Sequence, residues 1–258
     1  MLGLALDSAG QLASAALWID GVDGEGDPDR DPAAPSFAVR AYQSLSPAEG
    51  KADQLILAVE QLFETTGSQY QDLDVIAVNR GPGSFTGIRS AVALGRGLAL
   101  AIRCSVIGVT THEALAATLG SDDEASRRRR PRGLMIAQDA RRGQVYRQGF
   151  DADLSPIDDL SIETPEATAE RLRDGQWLLS GSGVSLVRPY LDDEDRIAII
   201  DHQRLDAKGV ALGAAARLGK GEAPVSGFDL KPLYIRPPDA IRPKPFVTPN
   251  GQPAEAGA

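Results

Sequence analysis

The stretch that most constrains this chain is residues 77–101, AVNRGPGSFTGIRSAVALGRGLALA. An apolar run at 75–78 meets a turn of Gly, Pro, Ser and Thr, and a helical pattern starts at once. Gly81, Gly83 and Gly87 permit backbone angles and close approaches that a Cβ blocks. Ser84 and Thr86 are helix-capping residue types that leave the first helical N–H groups facing the turn. A strand, a glycine turn and a helix in this order form a cradle for phosphate, so these five residues are candidates for a nucleotide-like site, vestigial or shared with a partner. In the helix, Gly87, Ala91, Gly95 and Ala99 recur every four residues and leave one face nearly bare, while Ile88, Val92 and Leu98 put bulk elsewhere. A bare face admits another helix at close range, within the chain or from a partner. Arg89, Arg96 and Arg103 interrupt the pattern, which falls short of the roughly 20 apolar residues of a membrane span.

The acidic balance sets limits on partners. Over 258 residues the formal net charge is -9, so the chain is not built as a general polyanion binder. Nucleic acid, if involved, is held mainly by a partner. The length allows one large domain or two smaller ones. Cys104 is the only cysteine, which fits a reduced cytosol and excludes an internal disulfide. MLGLALDSAG lacks a basic flank and a long apolar core, so it reads as a first strand and not as a signal peptide. A soluble cytoplasmic protein is the expectation.

Along the chain, residues 2–6 and 12–18 read as a hairpin around Asp7-Ser8-Ala9-Gly10. Asp7 and Ser8 at its tip suit a phosphate or metal–phosphate site, or equally an Asp that hydrogen-bonds its own turn. The acidic, Gly- and Pro-rich stretch 21–35 is an elongated connection without the residue pattern of a calcium loop. A third strand follows at 37–42. Ser46-Pro47-Ala48-Glu49 starts a helix, and Leu55, Ile56, Val59, Leu62 and Phe63 continue it at helical spacing to Gly67. Its stripe packs on the sheet, and Leu55 and Val59 are candidates for a subunit contact. A strand at 72–79 leads into the glycine turn. This order of three strands, helix, strand and helix is the unit of the actin/sugar kinase/Hsp70 ATPase (ASKHA) fold, which is normally duplicated. The second half offers strands at 106–109 and 134–137, a helix from His112 to Leu119, and a second hairpin with Asp139 near its tip. It also has a helix at 165–173, a strand before Gly181-Ser182-Gly183, a strand at 197–200 and an Ala-rich closing helix at 208–219. The run Arg127–Arg130 reads as a solvated loop balanced by Asp122, Asp123 and Glu124, with RNA contact as the other reading.

Three segments, NRGPGSFTGIRSAVALGRGLA, DARRGQVY and PLYIRPPDA, closely resemble the bacterial TsaB (YeaZ) family of tRNA threonylcarbamoyladenosine biosynthesis proteins, and LALDSA at the first strand agrees. The likeness spans residues 2–240. It departs from the family in the acidic stretch 21–35, the arginine run, the tail, and Lys51-Ala52 where the family usually has a His-Ser pair. The resemblance implies an α/β ASKHA-type fold of two lobes, with residues 1–104 as the N-terminal, dimerising lobe and 105–240 as the C-terminal lobe. The closing helix is expected to pack back on the first lobe, and residues 241–258 to form a disordered tail. It also implies a non-catalytic subunit of the machinery that makes N6-threonylcarbamoyladenosine (t6A) at position 37 of tRNAs reading ANN codons. Such a subunit pairs with TsaD, is joined by TsaE, forms a homodimer in isolation and meets tRNA only through the complex. No cofactor is bound tightly, and ATP or ADP is placed at the junction with TsaD and TsaE. The contact surface would use the helices at 46–66 and 86–102, with Leu55, Val59, Gly87, Ala91, Gly95 and Ala99 facing the partner.

Histidine usage tests the enzyme reading. His112 and His202 are far apart, neither lies in a His-x-x-x-His pair, and one cysteine does not complete a metal set. His112 at a helix start is expected to cap or to lie on the surface, and His202 to be solvated. The competing reading is a free-standing ASKHA-fold ATPase or small-molecule kinase that uses Asp7, the 81–87 turn and Asp139.

Overall fold

The computed structural model describes residues 1–20, 37–45, 51–121, 133–191, 197–200 and 205–236. The expectations for the stretch 21–35, the helix start at 46–49, Arg127–Arg130, His202 and residues 241–258 fall outside them.

Strands β1 (Leu2–Asp7), β2 (Ala13–Asp20) and β3 (Phe37–Leu45) form an antiparallel meander. β4 (Val75–Asn79) and β5 (Ser105–Val109) then add in parallel, giving the order β3-β2-β1-β4-β5. Antiparallel neighbours need only a short turn, whereas parallel ones need a crossover. Helices α1 (Lys51–Thr66) and α2 (Phe85–Ile102) make those crossovers. β1 and β4 lie at the centre with both faces covered, so LGLALD and VIAVN are nearly continuous apolar runs without alternation.

The second sheet repeats the plan. β6 (Gly133–Asp139), β7 (Val145–Phe150) and β8 (Ser161–Glu163) are antiparallel, and β9 (Trp177–Ser180) and β10 (Ile197–Ile200) are parallel to β6. The order β8-β7-β6-β9-β10 matches that of the first sheet. Helix α3 (Thr111–Ser121) follows the first sheet, α4 (Pro165–Arg171) joins β8 to β9, α5 (Val184–Val187) is a single turn after β9, and α6 (Ala207–Gly219) closes the chain. This duplicated unit is the ASKHA fold, an α/β architecture of two mixed sheets flanked by helices.

The core follows from the layering. Leu4, Leu6, Leu17, Ile76 and Val78 pack under Leu55, Val59 and Leu62 of α1 and Ile88 and Val92 of α2. The opposite face of the sheet, with Ala5, Ala16, Trp18, Val75 and Ala77, meets Ala114 of α3 and Ala207, Val210, Ala211 and Ala214 of α6. The other side of α3 packs Leu115, Ala116 and Leu119 on Leu134, Ile136 and Phe150 of the second sheet. Helix α3 is therefore apolar on both sides, as an interior helix must be. Its close contact with α6 needs small residues: a Cβ on Gly209 would lie 2.6 Å from Thr118 Oγ1. Arg217 of α6 pairs with Glu113 of α3 at 3.3 Å. At the far edge of the second sheet, buried Arg147 pairs with Asp158 and with Glu163 (2.7 Å), which also holds Arg171 at 2.7 Å.

Candidate functional site

Asp7 and Asn79 end neighbouring parallel strands, at the carboxyl edge where open α/β sheets usually take ligands. Both are fully buried, as are Ser8 and, nearly so, Thr111. Asp7 Oδ1 accepts from the Ala9 amide (3.1 Å) and from Asn79 Nδ2 (2.8 Å). Asn79 Oδ1 in turn accepts from the Gly81 amide (2.9 Å) and from Thr111 Oγ1 (3.2 Å), and the same hydroxyl reaches the Pro82 carbonyl at 2.6 Å. One buried network thus ties the first hairpin, the glycine turn and the start of α3 together.

The glycine turn is not an open phosphate cradle. A Cβ on Gly87 would lie 1.7 Å from the Ser8 carbonyl oxygen, and one on Gly83 would lie 2.7 Å from that of Ala9. The Ser84 amide donates to Ala9 O at 2.8 Å, and Ser84 Oγ accepts from the Gly87 amide at 3.3 Å as the cap of α2. Gly83 and Gly87 thus serve the close packing of the turn against the first hairpin. A Cβ on Gly81, which takes φ +105°, would lie 2.8 Å from Ile88 Cδ1 and 3.2 Å from the Leu233 carbonyl oxygen. Thr86 is exposed on the first turn of α2. The candidates Asp7, Ser8, Gly81, Gly83, Ser84 and Gly87 are brought together, and what they build is a joint within the lobe.

The six residues expected to face a partner are corrected in the same way. Leu55, Val59, Ala91 and Ala99 are at most 3% exposed, and Gly87 and Gly95 are buried. A Cβ on Gly95 would lie 2.5 Å from Val78 Cγ2, so the bare face of α2 lies on its own sheet. By length and composition α2 could cross a membrane; it packs instead as a crossover helix of the lobe. Among the described residues, the large apolar side chains that α1 and α2 expose are Ile56, Leu57, Phe85 and Leu100, at 41–59%.

The second lobe mirrors the first. Asp139 ends β6 as Asp7 ends β1, and its carboxylate accepts from the Arg141 amide at 2.7 Å. Arg141, Arg142 and Gly143 all take positive φ in the tip. The Gly181-Ser182-Gly183 turn docks on β6, since a Cβ on Gly181 would lie 2.2 Å from the Ala137 carbonyl, and Ser182 Oγ accepts from the Asp139 amide at 3.0 Å.

Two bridging features were not anticipated. The segment after α6 crosses from lobe to lobe: Leu233 N donates to Arg80 O at 2.7 Å, and Arg236 donates to the Ala140 carbonyl (2.9 Å) and to Gln144 Oε1 (3.0 Å). His112 was expected to cap its helix or to lie at the surface and is fully buried. Its Nε2 lies 3.1 Å from the Tyr146 carbonyl of β7; a carbonyl only accepts, so Nε2 carries the proton. Burial lowers the imidazole pKa to about 4, and Nδ1 is buried without a hydrogen-bond partner. A histidine at the start of a helix that carries Ala114, Leu115, Ala116, Ala117 and Leu119 was the available signal. Among the described residues, no group of three His, Cys, Asp or Glu side chains is placed to hold a metal ion.

Comparison with known proteins places this architecture. The sequence model of the family described as TsaD, tRNA N6-adenosine threonylcarbamoyltransferase, matches residues 48–178, about half of the chain. The tRNA threonylcarbamoyladenosine biosynthesis protein TsaB of Escherichia coli (strain K12) is 29% identical over 240 residues, covering 90% of this chain and 94% of that one. A tRNA N6-adenosine threonylcarbamoyltransferase of Jannaschia sp. (strain CCS1) is 42% identical over 75 residues, 29% of this chain and 18% of that one. The structure of YeaZ from Pseudomonas aeruginosa superposes with a TM-score of 0.70 at 22% identity, over 90% of this chain and 99% of that one, which speaks to the fold. Half the chain matches the family model and nearly all of it aligns with TsaB; the chain belongs to the TsaD family, on its TsaB (YeaZ) branch.

Proposed function

We propose that this chain acts in t6A formation as the non-catalytic partner of a TsaD-type transferase, which modifies position 37 of tRNAs reading ANN codons in the cytoplasm. The alignment with TsaB over 90% of the chain carries this reading. TsaE joins the pair, and any ATP or ADP sits at the junction with TsaD and TsaE. Pairing uses the outward faces of α1 and α2, where Ile56 (44% exposed), Leu57 (41%) and Leu100 (41%) present large apolar side chains to solvent. The same faces serve a homodimer when the partner is absent.

The test is reconstitution. The chain alone should neither turn over ATP nor modify tRNA, and should restore t6A when mixed with TsaD, TsaE, threonylcarbamoyl-adenylate and tRNA, read by nucleoside mass spectrometry. Replacing Ile56 and Leu57 by Asp should abolish co-purification with TsaD at an unchanged melting temperature. Phosphoryl transfer by the isolated chain to a small acceptor, or pairing untouched by the double variant, would refute the proposal.

A further inference from the structure

One surface feature is left over by this account. Phe85 begins α2 and is 59% exposed; Tyr234 lies in the segment that crosses the lobes and is 53% exposed. Their rings stand 5.8 Å apart with an interplanar angle of 35°. The Arg89 guanidinium sits 4.9 Å from the Phe85 ring centroid. Two residues past Tyr234, Arg236 reaches the Ala140 and Arg141 carbonyls of the second hairpin, where the Arg141 side chain is 88% exposed. Within this strip Asp139 holds Arg141 at 3.4 Å. Aromatic rings and guanidinium groups thus follow one another from α2 across to the second lobe.

Large rings left in water cost burial free energy, and in a chain of net charge -9 a local run of arginines is set against the overall field. An apolar protein partner would match the rings and not the guanidinium groups. A single-stranded nucleic acid matches both, because bases stack on exposed rings and arginines follow the phosphates. The strip begins about 22 Å from Leu100, since 15 helical residues separate it from Phe85 along α2. It therefore lies at the opposite end of α2 from Leu100.

We propose that Phe85 and Tyr234, flanked by Arg89, Arg236 and Arg141, form a stacking platform for an unpaired RNA segment of about four nucleotides, the low end of such sites. Direct RNA contact by this chain goes beyond the reading that tRNA is met only through the complex. It rests on the t6A proposal only for naming a tRNA loop as the RNA.

The test uses the full chain and a fluorescent 12-nucleotide oligoribonucleotide without secondary structure, followed by anisotropy at low salt. Wild type should bind and weaken as salt rises. Tyr234→Ala and Phe85→Ala should each lose about tenfold or more in affinity, and Tyr234→Trp should retain it. Arg89→Gln should lower the salt dependence. No binding by wild type, or equal binding by both alanine variants, overturns the proposal. In the reconstituted complex, Tyr234→Ala should raise KM for tRNA. If wild type supports t6A formation and this KM is unmoved, the platform is refuted while the t6A proposal stands; if wild type supports no t6A formation, the latter fails on its own. Loss of TsaD co-purification by Tyr234→Ala without any change in RNA affinity would assign the strip to a protein and overturn the RNA reading.

Discussion

His112 makes the stability of this chain depend on pH in a calculable way. The imidazole is fully buried on α3, donates to Tyr146 O on β7 and has its pKa lowered from 6.5 to about 4 by burial. Between those values the unfolded chain takes a proton that the folded chain refuses, so acid favours unfolding. The contribution is intact above pH 6.5 and declines as the pH falls toward 4. At 1.36 kcal/mol per pKa unit, the loss reaches about 2.5 kcal/mol by pH 4.5. His112→Gln keeps a donor for Tyr146 O and removes the titration. Urea unfolding of both chains at pH 7.5 and pH 4.5 checks the reasoning, and His202 cancels in the difference because both chains carry it. Wild type should lose about 2.5 kcal/mol more than the variant over that interval. An equal loss in both would show that the imidazole is not buried neutral between the lobes.

Three further outcomes follow from the packing. Gly87→Ala places a methyl 1.7 Å from Ser8 O, too close for any side chain to adjust, so the first hairpin must move; a loss of about 3 kcal/mol or more in urea unfolding is expected. Glu163 is raised by burial but held down to about 2 by its hydrogen bonds to Arg171 and Arg147, so it stabilises above pH 4.5 and that stability fades as the pH falls toward 2. Glu163→Gln should flatten acid unfolding in that lower window, followed by circular dichroism. Arg236→Met removes the donors to Ala140 O and Gln144 Oε1, and hydrogen exchange should speed up at the second hairpin while β1 and β4 stay protected.

The strands and crossover helices were legible because their residues answer to local rules. β1 and β4 announce burial on both faces, and Asp139 repeats Asp7 at the end of a hairpin. Which way α2 turns was not legible. Gly87, Ala91, Gly95 and Ala99 make a smooth face whether the neighbour is a partner helix or the chain's own sheet, and only Val78 and Ser8, brought in by the fold, decide it. Gly95→Arg, the obvious probe of a partner surface, would therefore disrupt the lobe. His112 was misjudged because a polar residue at a helix start usually meets solvent. Here the second sheet covers it, and that contact joins residues 34 apart. Asn79 carried a signal that was passed over: an amide ending an apolar strand just before a glycine turn.

The crossing segment anchored at Arg80 and Ala140 has a mechanical consequence. At residues 233–236 the chain is held to both lobes, Leu233 by Arg80 and Arg236 by the second hairpin. A strap fixed to both lobes resists their opening until one of its anchors is drawn. Opening the lobes here means withdrawing Arg236 from the second hairpin or Leu233 from Arg80. The chain should therefore meet its partners already in its final shape, with encounter rates set by diffusion and orientation rather than by a waiting time for rearrangement.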